Sequence, residues 1–480
     1  MPQRWHTAAG TKVLRQITTP GVEAVVKVTE TIGAASGPPR TGLGGVTVRT
    51  TSLPAQRYAR TVGYVSNDAL PAGSAALPAG VRGSAAVEFE PLVRNFARIV
   101  GGRAGAGGGL TVLRHGEPVV DVWTGYSDLT TPWTRDTGSV AFSATKGIAS
   151  TVIHRLADRG LIDYAAPVAE YWPEFGAAGK SRITVAQLLT HRAGLSSLPS
   201  VAGGLDEVLD HELMEHRLAA AAPDRLLGVP AYHALTYGWL LAGLARAVTG
   251  MSMRELFRTE VSEPLGIDGL HLGRPAPGSN TTVAALAGSR LAVAGTALGA
   301  LVLGQAGRFP GPPGAAIRAL FLPGLHALFD GDEPSILATE MPAGNGVFTA
   351  GALASVYGVL ADDGMIGGRR YLSAQTMRHI RRVQTRRLDH ALFYFPMMWH
   401  LGYHTFPIPG ASSGFGHIGL AGSFGWAEPR LGLSVGFVHN RFTPHSFVWD
   451  QLAAAWVLPL VVRGARAMQD GRRSSQRPAA

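Results

Sequence analysis

Strand-like patterns stand at the two ends of this chain's ordered body, and almost everything between them has a helical pattern. Near the front, GGLTVLRHGEPVVDVWTGYSD holds two apolar runs separated by Arg114, His115, Gly116 and Glu117, which is a β-hairpin signal. Near the end, HIGLAGSFGWAEP and LGLSVGFVHN supply two more strands, joined through a turn around Pro429. In the middle, GIASTVIHRLADRG sets Ile148, Val152, Ile153 and Leu156 on one helix face, with Gly160 as C-cap. TVAQLLTHRAGL, YGWLLAGLARAVTG, MRELFRTEV and GALASVYGVLADDG are further helix candidates. Strands this far apart must meet through tertiary contact. The expected class is α+β: one antiparallel sheet built from distant segments, flanked by helices, with an all-helical insertion.

The ordered body is expected to start near Val87, where VEFEPLVRNFARIV places Phe89, Leu92, Val93, Phe96 and Val100 on a helical stripe. It closes with an apolar helix near FVWDQLAAAWVLPLV. Residues 1–85 show no sustained period, and GAASGPPRTGLGG and LPAGSAALPAG resemble linkers. The expected division is a partly irregular extension over 1–85, one domain over 86–462 with the insertion at roughly 155–345, and a basic tail over 463–480. The sequence shows no internal repeat.

The charge follows that division. Of the formal net +10, residues 1–85 carry nine Lys/Arg against three Asp/Glu, and residues 461–480 carry five against one. The body between holds equal numbers of basic and acidic residues. A nucleic-acid partner calls for a basic stripe on the folded domain, so none is expected. The chain has no cysteine, which excludes disulfides, thiolate catalysis and Cys-bound zinc. No apolar run follows the polar start MPQRWHTAAGTKVLRQ, so no signal peptide is expected and the cytoplasm is the default compartment. The longest charge-free apolar stretch, LAVAGTALGALVLG at 291–304, is short for a membrane span. It suits a core or cleft-lining helix, or a lid in peripheral contact with a membrane or a long acyl chain.

Chemistry enters at AFSATKG, which holds Ser143 and Lys146 as an S-x-x-K pair. A serine hydroxyl is a poor nucleophile at neutral pH until a base takes its proton. Residues three apart share a helix face, so the lysine amine can reach the serine oxygen. The amine acts as a base only if burial lowers its pKa, and Val140, Phe142, Ile148 and Val152 supply apolar surroundings. Ser143 at a helix start would also meet backbone N–H groups able to hold developing negative charge. Alone the motif is weak, since chance supplies S-x-x-K in many chains.

Three further segments change its weight: DYAAPVAEYWPEF with ITVAQLLTHRAGL at 163–195, YHALTYGWL at 232–240, and FGHIGLAGSFGWAEP with GLSVGFVHNR at 415–441. With these in order, residues 86–462 resemble the serine β-lactamase and penicillin-binding-protein family, particularly its class C branch and the related family VIII carboxylesterases. The resemblance implies a β-lactamase-like fold, with Ser143 as the acylated nucleophile and Lys146 as its base partner. It places Tyr232 as the tyrosine of a Y-x-N motif that moves protons to and from the leaving group. His417, Ile418 and Gly419 stand where the family has K-T-G. The backbone N–H of Leu420 would join that of Ser143 as the oxyanion hole, and Gly419 would let substrate approach the strand.

Two departures bear on substrate. Ala234 replaces the Y-x-N asparagine, and His417 replaces the K-T-G lysine, so the fixed cation is lost or becomes pH-dependent. Both resemble family VIII esterases. The resemblance therefore implies a serine carboxylesterase or lipase acting on small-molecule esters or lipids through an acyl-enzyme, without metal or cofactor. A β-lactamase or D-amino-acid peptidase of the same fold, and a catalytically silent scaffold or membrane-associated binder, are the alternatives.

Other conspicuous residues are expected to be structural. His191 would bond backbone near the site, Tyr237 would pack its helix, and His233 would either tune the site or face outward. The two histidines of HELMEH at 211–216 are five apart and miss the shared face a zinc motif needs. Ser423 lacks the strand-to-helix turn of a nucleophile elbow. GGRAGAGGG at 101–109 lacks the lysine and helix of a phosphate loop.

Overall fold

The structure is a computed structural model and describes residues 74–288, 304–322, 324–329, 333–443 and 449–475. The front hairpin forms β2 (Gly107–Arg114) and β3 (Glu117–Gly125). Its turn residues His115 and Gly116 both have positive φ, as a tight two-residue hairpin requires. The strands from the chain's other end join it directly: β13 (Leu433–His439) pairs antiparallel with β2, setting Phe437 opposite Leu110 and Val435 opposite Val112. Beyond β13 lie β12 (Phe424–Glu428), β11 (Phe415–Ile418) and β10 (His404–Thr405), giving a seven-stranded antiparallel sheet.

The seventh strand moves the domain's start. β1 (Val81–Ala85) pairs with β3 at the sheet edge, inside the stretch expected to be an extension with patchy structure. VRGSA carries too few apolar residues to betray an edge strand, whose outer side needs none. Residues 1–73 of the expected extension lie outside the described residues, as do 291–303 of the apolar stretch.

Each face of the sheet is covered by helices. On one lie α1 (Glu90–Val100) and the terminal helix Ala453–Ser475, where Phe89, Phe96, Val457 and Val461 pack against Leu110, Val122 and Phe437. That helix continues past 462, and Arg466 donates to the Gly410 carbonyl at 2.9 Å. On the other face the helix Ala350–Ala361 lies so close that a Cβ on Gly436 would overlap the Ala350 carbonyl. The second core continues from there through α2 (Thr145–Asp158) and the helix Thr236–Thr249.

The insertion is not wholly helical. Its strands β5 (Leu270–Leu272) and β6 (Thr282–Val283) join β4 (Thr137–Val140) and β7 (Gly346–Phe348), which flank it, in a small second sheet of order β5–β7–β4–β6. Strands of two to four residues are too short to show a clear period of two, so only their partners reveal them. A further small hairpin, β8 (Met365–Ile366) with β9 (Arg369–Arg370), follows. Among the described residues no helix is long and apolar enough to cross a membrane.

Candidate active site

Ser143 sits where β4 turns into α2. Ala141 donates to the Gly346 carbonyl at 2.8 Å, and Thr145 Oγ1 donates to the Phe142 carbonyl and accepts from the Gly346 N–H. Phe142, just before the serine, has φ +47. A bulky residue holds that conformation only where its surroundings fix it. Here its ring stacks on Phe442 at 4.9 Å and tilts against Phe329 at 5.5 Å. Ser143 occupies a short 3-10 turn, Phe142–Ala144, that leads into the helix.

One helical turn on, the Lys146 side chain is 0% exposed. Its Nζ lies 3.0 Å from Ser143 Oγ, 2.6 Å from the Ala234 carbonyl and 2.9 Å from the Ala343 carbonyl. Burial holds the amine well below its ordinary value. A neutral amine has two N–H groups and one lone pair. In that neutral form both N–H groups can donate to the two carbonyls, which leaves the lone pair for the serine proton. Ala234, which brings no side-chain amide, contributes its carbonyl instead.

Tyr232 lies across the same site, its ring centroid 4.9 Å from Lys146 Nζ. Burial raises its phenol above the usual tyrosine range, and a hydrogen bond with Ser143 pulls the other way. The ring stacks on Trp399 at 5.8 Å with 6° between planes, and tilts against His191 at 4.9 Å. The phenol is thus a neutral hydroxyl in contact with the serine.

β11 brings the third segment. A Cβ on Gly419 would overlap the Ala141 carbonyl and come within 3.3 Å of the Ala144 nitrogen, so only glycine lets this strand end against the Ser143 turn. Leu420 then opens a tight turn closed by the N–H groups of Gly419 and Gly422, bonds that leave the Leu420 N–H out. His417 is 2% exposed and burial drives it well below its ordinary value, so it is neutral. Its Nδ1 bonds the Ile418 carbonyl at 3.0 Å, which makes Nδ1 the donor and Nε2 the acceptor. Among the described residues that buried Nε2 has no partner. The fixed positive charge of a K-T-G strand is therefore absent at neutral pH, not merely titratable there.

A family model described as Beta-lactamase matches residues 92–456. The chain belongs to the beta-lactamase family. It is a serine hydrolase of that fold. The family likeness is specific: an "Esterase/beta-lactamase LipL" of Mycobacterium tuberculosis is 47% identical over 387 residues, covering 80% of this chain and 89% of that one. Among solved structures, a family VIII carboxylesterase is 32% identical with a TM-score of 0.67, covering 80% of this chain and 99% of that one. A penicillin-binding-protein homologue from Caulobacter crescentus is 29% identical with a TM-score of 0.63, covering 78% and 99%.

Within this family member the other conspicuous residues are structural. His191 Nδ1 accepts from the His233 N–H at 3.2 Å, the backbone role expected of it. His233 turns inward and spends both nitrogens on main chain, at the Ala231 carbonyl and the Leu195 N–H. Tyr237 bonds Ser150 Oγ at 2.7 Å inside the helix packing. In the HELMEH helix Glu215 pairs with Arg246 at 2.9 Å. Ser423 Oγ accepts from the His439 N–H at 3.3 Å at the start of β12. Sequence reasoning missed Asp389, Trp399 and the Ala343 carbonyl. RRLDHALFYFPMMWH has no periodic pattern or motif, and a carbonyl acceptor leaves no trace in residue identity.

Proposed function

We propose that this protein is a carboxylesterase that works through an acyl-enzyme on Ser143. The observation that carries the reading is the dehydrated Lys146 amine 3.0 Å from Ser143 Oγ, with two carbonyls already holding its N–H groups. Ser143 Oγ attacks the ester carbonyl while its proton passes to the Lys146 lone pair. The backbone N–H groups of Ser143 and Leu420 hold the negative charge on the carbonyl oxygen. Tyr232 then gives its proton to the departing alkoxide and is reprotonated from Lys146. Water attacks the acyl-enzyme by the reverse transfers and frees the acid.

The substrate side of the reading rests on His417. A neutral acceptor with a bare Nε2 offers nothing to a carboxylate, asks no charge of the substrate, and can accept from a donor such as a substrate hydroxyl. The likeness to a family VIII carboxylesterase supports the same class. Hydrolysis of short p-nitrophenyl esters by the purified protein, abolished in Ser143→Ala, is the expected result. Wild-type turnover in that variant would end the proposal.

A second reading, β-lactam hydrolysis, is favoured by the double name of the Mycobacterium tuberculosis relative. Nitrocefin and an ester assayed on one preparation separate the two, and faster turnover of nitrocefin would reverse the order. Labelling of Ser143 by a fluorophosphonate is expected, and its failure would favour a silent scaffold.

A further inference from the structure

A carboxylate that the proposed chemistry does not use lies behind Tyr232. Asp389 is 0% exposed, and no cation pairs with it among the described residues. Four N–H donors hold it instead. Its Oδ1 accepts from the backbone N–H of Tyr232 at 3.1 Å, Ala391 at 3.0 Å and Leu392 at 3.0 Å, and its Oδ2 accepts from Trp399 Nε1 at 3.0 Å. The indole it holds is the plane on which the Tyr232 ring is stacked. The next residue ties the same two segments again, since the His390 N–H donates to the Pro230 carbonyl at 2.8 Å.

A buried carboxylate without a cation is costly, and full satisfaction by N–H groups offsets that cost only at one geometry. We infer that Asp389 is the positioning residue for the Tyr232 phenol: one oxygen fixes the tyrosine's backbone and the other fixes the indole against its ring. The inference rests on the reading of Tyr232 as proton carrier.

Leaving-group dependence tests this. An alkyl ester expels a strongly basic alkoxide that needs a proton, whereas p-nitrophenolate leaves without one. A displaced Tyr232 therefore slows the first far more than the second. A merely destabilised protein loses both in the same proportion. Asp389→Asn keeps the shape and an oxygen for the three main-chain N–H groups but presents an amide N–H to the Trp399 N–H.

The experiment measures kcat/KM, which reports acylation alone, for an ethyl ester and a p-nitrophenyl ester of the same acid, normalised by fluorophosphonate titration of Ser143. Tyr232→Phe serves as reference. Asp389→Asn is expected to lose about 10–100-fold more activity on the ethyl ester than on the aryl ester. Adding Trp399→Phe removes the opposed donor and is expected to recover part of that selectivity. Equal loss on both esters, or none, while Tyr232→Phe is selective, would overturn the inference. If Tyr232→Phe is itself unselective, both proposals fall and the fault lies with the role given to Tyr232.

Discussion

Lys146 Nζ approaches Ser143 Oγ to 3.0 Å while main-chain carbonyls, not carboxylates, take its other hydrogen bonds. A carboxylate partner would favour the ammonium form and raise the amine's pKa. Carbonyls satisfy a neutral amine equally well and leave burial to lower it.

This has a consequence for pH dependence. The base works only when neutral, so activity is lost as pH falls through the Lys146 pKa and is retained above it. Because that pKa is depressed, kcat/KM is expected to rise on a limb far below the ordinary lysine value and then level off. Lys146→Met should lower kcat by about 100-fold or more. A limb near the pKa of free lysine would contradict a dehydrated base.

The proposed reading assigns the preference for neutral substrates to His417. His417→Lys restores a cation at that strand and should raise the ratio of nitrocefin to ester turnover, since nitrocefin carries a carboxylate. An unchanged ratio, measured with both substrates on one preparation, would remove His417 from the specificity argument.

At Gly419 the strand end meets the Ser143 turn. Gly419→Ala puts a methyl group into the Ala141 carbonyl and pushes Leu420 away from Ser143. The expected result is a fall in kcat of about 100-fold, with KM much less affected. Pre-steady-state acylation by a p-nitrophenyl ester checks it, and a normal acylation rate would exclude the Leu420 N–H from the oxyanion site.

Buried histidines make the fold acid-sensitive. His233 and His404 are each held down to about 4 from an ordinary 6.5 by burial. Unfolding lets such groups bind protons, so their stabilising effect is complete above about 6.5 and is lost as pH falls through about 4. Each unit of depression corresponds to about 1.4 kcal/mol. Thermal unfolding followed from pH 7 to pH 4 should show a steep fall in Tm, and a flat profile would contradict neutral burial.

The sequence by itself determined the local parts. The hairpin at 107–125, the helix after Ser143 and the three-residue step from Ser143 to Lys146 all depend on neighbours within a turn or a strand pair, so periodicity exposes them. The motif order at Ser143, Tyr232 and His417 likewise carried the family likeness. Only the tertiary structure decided whether Lys146 is buried and which groups hold its amine. Its two carbonyl partners come from 88 and 197 residues along the chain, and the indole and carboxylate behind Tyr232 come from a loop without pattern. Burial and main-chain acceptors are properties of packing, not of residue identity, and the amine's proton affinity is set by both.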